Sequence, residues 1–153
     1  MKKLLLVSLM TLLVCVLPVA ASNDHSTELS YTVEEAYEWS APADITFTNN
    51  INSESKTGSV SVTQNIIAGN KKLQIKIASG EDFKLTSAAG DFRTYQVKKG
   101  SDVLAAGAVV LEVASGVNTS SQELSFALQS AATQKAGTYT GICEFEAGIV
   151  SAS

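Results

Sequence analysis

Three pairs of closely spaced carboxylates are the residues of this chain best suited to acid–base or metal chemistry. They are Glu34 with Glu35, Glu81 with Asp82, and Glu144 with Glu146. Neighbouring residues on a strand point to opposite faces, so Glu34 and Glu35 cannot act on one substrate atom. Glu144 and Glu146 share a face, but it lies opposite Cys143 and Phe145 and should contact water. We therefore expect these acids to be solvated rather than catalytic.

The sequence predicts no metal site and no catalytic histidine. Glu81 and Asp82 follow Gly80 in a turn, but Ca²⁺ needs about six to eight oxygen ligands, and no Asp-rich loop supplies them. The single histidine, His25, lies in a polar leading segment where its imidazole would lack a fixed partner. No nucleophile elbow, zinc-protease motif or phosphate-binding loop occurs. We predict no catalytic, cofactor-binding or metal-binding residue, and no enzymatic activity.

Two further residues could carry chemistry, and each has a structural explanation that we favour. Cys143 is in phase with Tyr139 and Phe145, which predicts a thiol on the core face that is chemically inert. Trp39, the only tryptophan, could stack on a sugar. The alternative is that it packs beside Pro42, because a large ring usually buries its apolar area.

Apolar and polar residues alternate with a period of two over most of the chain, which predicts that the residues named above lie on strands. Apolar and polar residues alternate most clearly over residues 73–77, 109–113 and 124–128, with turn sequences between such runs. Residues 121–136 contain enough Ala and Gln for a helix, but their apolar residues fall two apart and favour a strand. The predicted fold is an all-β, antiparallel, immunoglobulin-like β-sandwich of about seven to nine strands.

The alternation also predicts the core, because one face of each strand must leave water, at about 25 cal/mol per Å² of apolar area. A single closing strand is predicted over residues 139–145. The predicted core residues are Val60, Val62, Leu73, Ile75, Ile77, Val109, Leu111, Val113, Leu124, Phe126, Leu128, Tyr139 and Phe145.

Residues 1–21 have the features of a secretory signal peptide. Lys2 and Lys3 precede an apolar stretch over residues 4–17, and Val19-Ala20-Ala21 supplies suitable residues before a cleavage site. An uncleaved signal anchor is the alternative, and the cleavage site argues against it. We predict cleavage close to Ala21.

Cleavage would leave a flexible lead over residues 22–28 and a β-sandwich domain over residues 29–153. Loss of Lys2 and Lys3 from the 11 basic residues leaves 9 against 15 acidic ones, so the mature chain is acidic. An acidic chain gives no electrostatic footprint for nucleic acid or anionic lipid. Cys143 is then the only cysteine, which excludes an internal disulfide.

Both ends of the mature chain carry a resemblance to known domains. Residues 37–47, YEWSAPADITF, look like the opening of small secreted bacterial β-sandwich domains, and residues 136–145, AGTYTGICEF, resemble their closing strand. Similar endings occur in WxL-like surface domains and in fimbrial or spore-coat-U-like domains. The resemblance implies a β-sandwich at the cell surface. Cys143 stands where those domains usually have an aliphatic residue, and neither a WxL tripeptide nor a cell-wall sorting signal is present.

Together these patterns predict a secreted, extracellular or cell-surface module that is structural or adhesive and belongs to an extracellular assembly. The alternative is a binding module for carbohydrate or for a surface protein. Expected partners are other surface proteins or further copies of this chain, with carbohydrate under the alternative. No nucleic acid, cofactor or membrane contact is expected after signal cleavage. Residues 28–39, where Leu29, Tyr31 and Val33 alternate, could pair with a neighbour or form the first strand of their own sandwich, which we favour.

Overall fold

The computed structural model describes residues 27–48, 52–79, 81–131 and 134–152. The chain divides into two units, residues 1–32 and 33–153. In the first unit, residues 27–32 are described, and they are exposed and form no helix or strand. The predicted signal peptide and His25 lie outside the described residues. Within the described ranges no helix is long and apolar enough to cross a membrane.

The second unit is an antiparallel β-sandwich, which confirms the predicted all-β fold. Its strands are β1 (Ala36–Ser40), β2 (Glu54–Ile66), β3 (Lys71–Ser79), β4 (Lys84–Ser87), β5 (Phe92–Lys99), β6 (Asp102–Leu104), β7 (Val109–Ala114), β8 (Ser120–Leu128), β9 (Tyr139–Thr140) and β10 (Glu144–Ser151). A 3₁₀ turn spans Glu81–Phe83. A seven-stranded sheet, the large sheet, has the order β1-β2-β8-β5-β4-β9, with β6 also paired to β5. A three-stranded sheet, the small sheet, has the order β10-β3-β7.

The core lies between the two sheets and contains most of the residues predicted from alternation. The prediction is confirmed for buried Val60, Val62, Leu73, Ile75, Ile77, Leu111, Val113, Leu124, Phe126 and Leu128. Tyr139 and Phe145 are only partly buried. The core also includes Ile67, Tyr95, Val97 and Val110, which were not among the predicted core residues.

A β-bulge in β7 makes the prediction wrong at Val109. Ile75 pairs with Leu111, but the next residue, Lys76, pairs with Val109, so Val110 is an extra residue in β7. A bulge of this kind shifts the alternation of side chains by one position. Val110 is therefore fully buried, whereas Val109 is only partly buried.

The predicted closing strand over residues 139–145 is also wrong as a single element. Its first part, β9, pairs with β4 in the large sheet, and its second part belongs to β10, which pairs with β3 in the small sheet. Residues 141–143, here called the crossover, connect the two sheets. A Cβ at Gly141 would overlap the carbonyl oxygen of Lys84, so only glycine allows this close backbone approach.

Candidate binding groove

A groove lies between residues 42–48, the crossover and the inward face of the large sheet. One part is a cavity of about 250 Å³. A wider part of about 960 Å³ adjoins it and extends to residues 134–140. The two parts share Asp44, Ile45, Phe47, Leu85 and Gly141. The two parts therefore adjoin each other beside the crossover, along the segments that precede β2 and β9.

Residues 42–48 form one wall of the groove without joining either sheet. Pro42 has no backbone N–H to donate to a ladder, and it lies so close to β2 that a Cβ at Gly58 would be 2.8 Å from the Pro42 Cβ. At the other end, the Glu54 carboxylate accepts hydrogen bonds from the Thr48 backbone N–H at 2.6 Å and from the Thr48 hydroxyl at 3.1 Å. These two contacts fix the wall at both ends.

The lining of the narrower cavity is mostly apolar. Its side chains include Ile45, Phe47, Leu85, Phe126 and Ile142. Apolar walls of this kind bind apolar groups by removing their surface from water. The groove can therefore hold an extended apolar segment or a small apolar ligand.

Polar contacts within the groove hold the crossover in place. The Tyr95 hydroxyl lies 3.5 Å from the Ile142 carbonyl oxygen, and the Tyr95 ring packs edge-on against Phe83 with centroids 5.7 Å apart. Burial raises the pKa of the Cys143 thiol to about 11, partly offset by a hydrogen bond with Tyr95. The thiol therefore stays neutral at neutral pH, as an inert cysteine would.

The predicted carboxylate pair on the N-terminal side does not converge on a site. Glu34 and Glu35 are both exposed. The Glu35 carboxylate accepts hydrogen bonds from Lys71 Nζ at 2.8 Å and from the Ala68 backbone N–H at 2.9 Å. These bonds, with Lys71 the larger cause, lower the pKa of Glu35. Glu35 thus anchors the turn between β2 and β3.

The pair Glu144 and Glu146 lies where the sequence predicted, on a solvated face. Both side chains are exposed at the outer face of the small sheet, and Glu146 forms an ion pair with Lys76 at 3.1 Å. In the third pair, the side chain of Glu81 lies outside the part of the chain that the structure describes. Asp82 is exposed and has a left-handed φ of 58°, and its carboxylate lies 3.3 Å from Lys84 Nζ. The described part of the chain holds no group of three or more potential metal ligands.

The structure favours the packing role for Trp39. Its side chain is partly buried and packs against the core from β1. Pro42, its predicted neighbour in packing, lines the groove. Sequence reasoning did not predict the groove, although Pro42 and Gly141, which interrupt strands on either side of it, are the signals that could have indicated it.

Comparison with known proteins identified no relative of this chain. Neither a scan against protein-family models nor a search of curated proteins found a match. The resemblance to WxL-like, fimbrial and spore-coat-U-like domains therefore stays a prediction. What the fold and the site define is an antiparallel β-sandwich with a groove beside the crossover, whose narrower part is mostly apolar.

Proposed function

We propose that this protein is a secreted, non-enzymatic structural or adhesive module that associates with further copies of itself at the cell surface. The observation that carries the proposal is the exposure of large apolar side chains ahead of β1. Leu29 and Tyr31 are each 90% exposed, and Val33 is exposed as well. Apolar side chains that alternate along an exposed segment are typical of a surface that a partner covers.

The extent of β1 limits which residues are available to that partner. Residues 36–40 pair with β2 and so belong to the parent sheet. The favoured alternative for the segment 28–39 is therefore confirmed for residues 36–39 and wrong for residues 28–35, which form no strand. An extended segment outside the parent sheet can add to a strand edge of another chain. The proposed contact therefore uses residues 29–33 and leaves β1 in place.

Sedimentation velocity of the mature protein tests the proposal over about a hundredfold range of concentration, because self-association depends on concentration. The double variant L29S/Y31S should sediment as smaller species than the wild type. The matched control V103S/V117S, which changes two other exposed apolar residues, should behave as the wild type does. A wild-type protein that stays monomeric over the whole range overturns the proposal.

The groove supports a second candidate function, a binding module for an apolar segment of another surface protein. Ile142 lines the narrower cavity and is 56% exposed. An apolar fluorescent dye such as anilinonaphthalene sulfonate should bind the wild type, and the substitution I142D should weaken that binding. The control V103D changes a residue that is also 56% exposed but lies outside the groove. Equal dye binding by the two variants contradicts this candidate.

A further inference from the structure

The small sheet ends in an eight-residue edge strand, β10. Among the described residues, β10 pairs only with β3. An open strand edge presents unpaired N–H and C=O groups and can accept another strand. Which residues of β10 point their backbone N–H and C=O groups outward determines the register in which an added strand would pair.

Three hydrogen bonds show which residues of β10 point outward. The Ile77 backbone N–H donates to the Ala108 carbonyl, and the Ala152 N–H donates to the Asn70 carbonyl. The backbone N–H and C=O groups of the odd-numbered residues of β3 therefore point toward β7, and those of the even-numbered residues point toward β10. These directions alternate along a strand in an antiparallel sheet. The even-numbered residues of β10 thus form their backbone hydrogen bonds with β3. The backbone N–H and C=O groups of the odd-numbered residues 145–151 point toward the outer edge. The Tyr37 hydroxyl, which donates to the Ala147 carbonyl at 3.4 Å, agrees with this phase.

The opposite edge of the small sheet is closed by side chains from the large sheet. Lys99 Nζ donates to the Val110 carbonyl at 3.1 Å, and Asn65 Nδ2 donates to the Ala114 carbonyl at 2.9 Å. Both acceptors belong to β7, which forms that edge. Asn65 is almost fully buried, so its hydrogen bond to Ala114 is shielded from water. The β10 edge receives one longer bond of this kind, from the Tyr37 hydroxyl to the Ala147 carbonyl at 3.4 Å, and a carbonyl oxygen can accept a second hydrogen bond. Of the two edges, β10 is therefore the better template for strand addition.

We infer that β10 of one copy pairs antiparallel with β10 of a second copy, about a twofold axis at Gly148. Ala147 would then form hydrogen bonds with Ile149 of the second copy, and Phe145 with Ser151. A symmetric contact of this kind uses the same surface on both copies and closes at two. The two small sheets would become one six-stranded sheet. The inference rests on the proposed self-association and specifies one of its contacts.

The positions of the acidic side chains select this register. Glu144 and Glu146 are exposed on the outer face at one end of β10, whose other end has no acid. With the axis at Gly148, each Glu146 lies opposite Val150 of the other copy, and the acids of the two copies are far apart. An axis at Ala147 would bring the two Glu146 carboxylates to diagonal positions, and like charges on neighbouring strands destabilise pairing. An axis at Ile149 would shorten the paired length.

A pair of matched charge substitutions tests the contact in the L29S/Y31S protein, in which the other proposed contact is weakened. Lys72 is in register with Val150 on β10 and with Ala114 on β7. V150E and A114E therefore place the same carboxylate beside the same lysine, but at opposite edges. V150E should raise the dimer dissociation constant about tenfold, because it opposes Glu146 of the second copy twice per dimer. A114E should leave it unchanged.

Disulfide trapping tests the register. A Cβ at Gly148 meets no atom within 4 Å, so G148C fits the fold. Directly opposite residues of a non-hydrogen-bonded pair have Cα atoms about 4.5 Å apart, which allows a disulfide. In a C143S protein, G148C should form covalent dimers under mild oxidation much faster than V150C, whose two thiols would lie far apart.

The outcomes separate this inference from the proposed function. A wild-type protein that is monomeric overturns the proposed function and the inference with it. A wild type that associates overturns the inference alone if L29S/Y31S is monomeric at every concentration, if V150E and A114E act alike, or if G148C is trapped no faster than V150C. A dimer that V150E weakens and G148C traps supports the inference.

Discussion

Cys143 shows how the crossover determines the chemistry of a residue. Its thiol is partly buried where the chain passes between the sheets, and this burial favours the neutral form over the thiolate. The thiolate is the reactive form of cysteine. The position of Cys143 between β9 and β10 therefore makes it a small apolar residue of the groove.

The raised pKa of Cys143 predicts slow alkylation. Since that pKa is about 11, iodoacetamide at pH 8 should modify the folded protein far more slowly than the urea-unfolded protein. The measurement is the mass of the modified chain against time. Labelling at equal rates in the two states would contradict the burial of this thiol.

The same shift predicts how stability depends on pH. The folded state holds the thiol proton more tightly, with a pKa near 11 against an ordinary value of 9.0. Its stabilising contribution is therefore complete below pH 9 and is lost as the pH rises from 9 to 11. The C143A protein should lose less stability than the wild type over this interval in urea unfolding. An identical pH dependence for both proteins would contradict the assignment.

At the scale of elements, the alternation of residues predicted the strands that pair regularly. It succeeded for the middle of β3 and for β8, where side chains of every second residue are buried. It failed at Val109 and at the closing strand, because a bulge and a change of sheet depend on partners that are distant in sequence. The groove lies at that change of sheet, so local patterning could not predict it either.

The core assigned to β3 makes a direct prediction about stability. Ile75 is fully buried between the sheets, so the substitution Ile75→Ala should lower the free energy of unfolding by about 2–5 kcal/mol. Urea unfolding followed by circular dichroism measures the change. The substitution Lys76→Ala, at a half-buried residue of the same strand, should change it by much less. A loss below about 1 kcal/mol for Ile75→Ala would contradict its place in the core.

The crossover makes a second prediction at this scale. The substitution Gly141→Ala should destabilise the fold, because the added Cβ would overlap the Lys84 carbonyl oxygen of β4. Gly69→Ala is the matched control, since a Cβ at that turn meets nothing within 4 Å. Thermal melts of both variants should show a clear decrease in Tm for the first alone. Equal melting temperatures would show that the crossover tolerates a side chain.

At the scale of the whole molecule, the two sheets differ in how their edges are closed. Two side chains from the large sheet bond to the β7 edge, whereas among the described residues no strand pairs with the outer edge of β10, which receives one longer bond from Tyr37. Leu29 and Tyr31 are exposed. A symmetric contact alone closes at two copies, but a second, different contact can extend an assembly further. We therefore expect assemblies larger than a dimer when both contacts are intact.

Export is the other prediction for the whole molecule. Secreted material should begin near Ser22, because Val19-Ala20-Ala21 suits cleavage. Intact mass and N-terminal sequencing determine the start of the mature chain. A retained Met1 would contradict the secretory interpretation of residues 1–21.

The most direct test of the central claim is sedimentation velocity of the mature wild-type protein over a range of concentration. We predict species larger than a dimer at high concentration and a dimer in L29S/Y31S, whose monomer–dimer equilibrium shifts toward the monomer when V150E is added. A wild-type protein that sediments as a monomer at every concentration would contradict the claim that this β-sandwich is an assembling module.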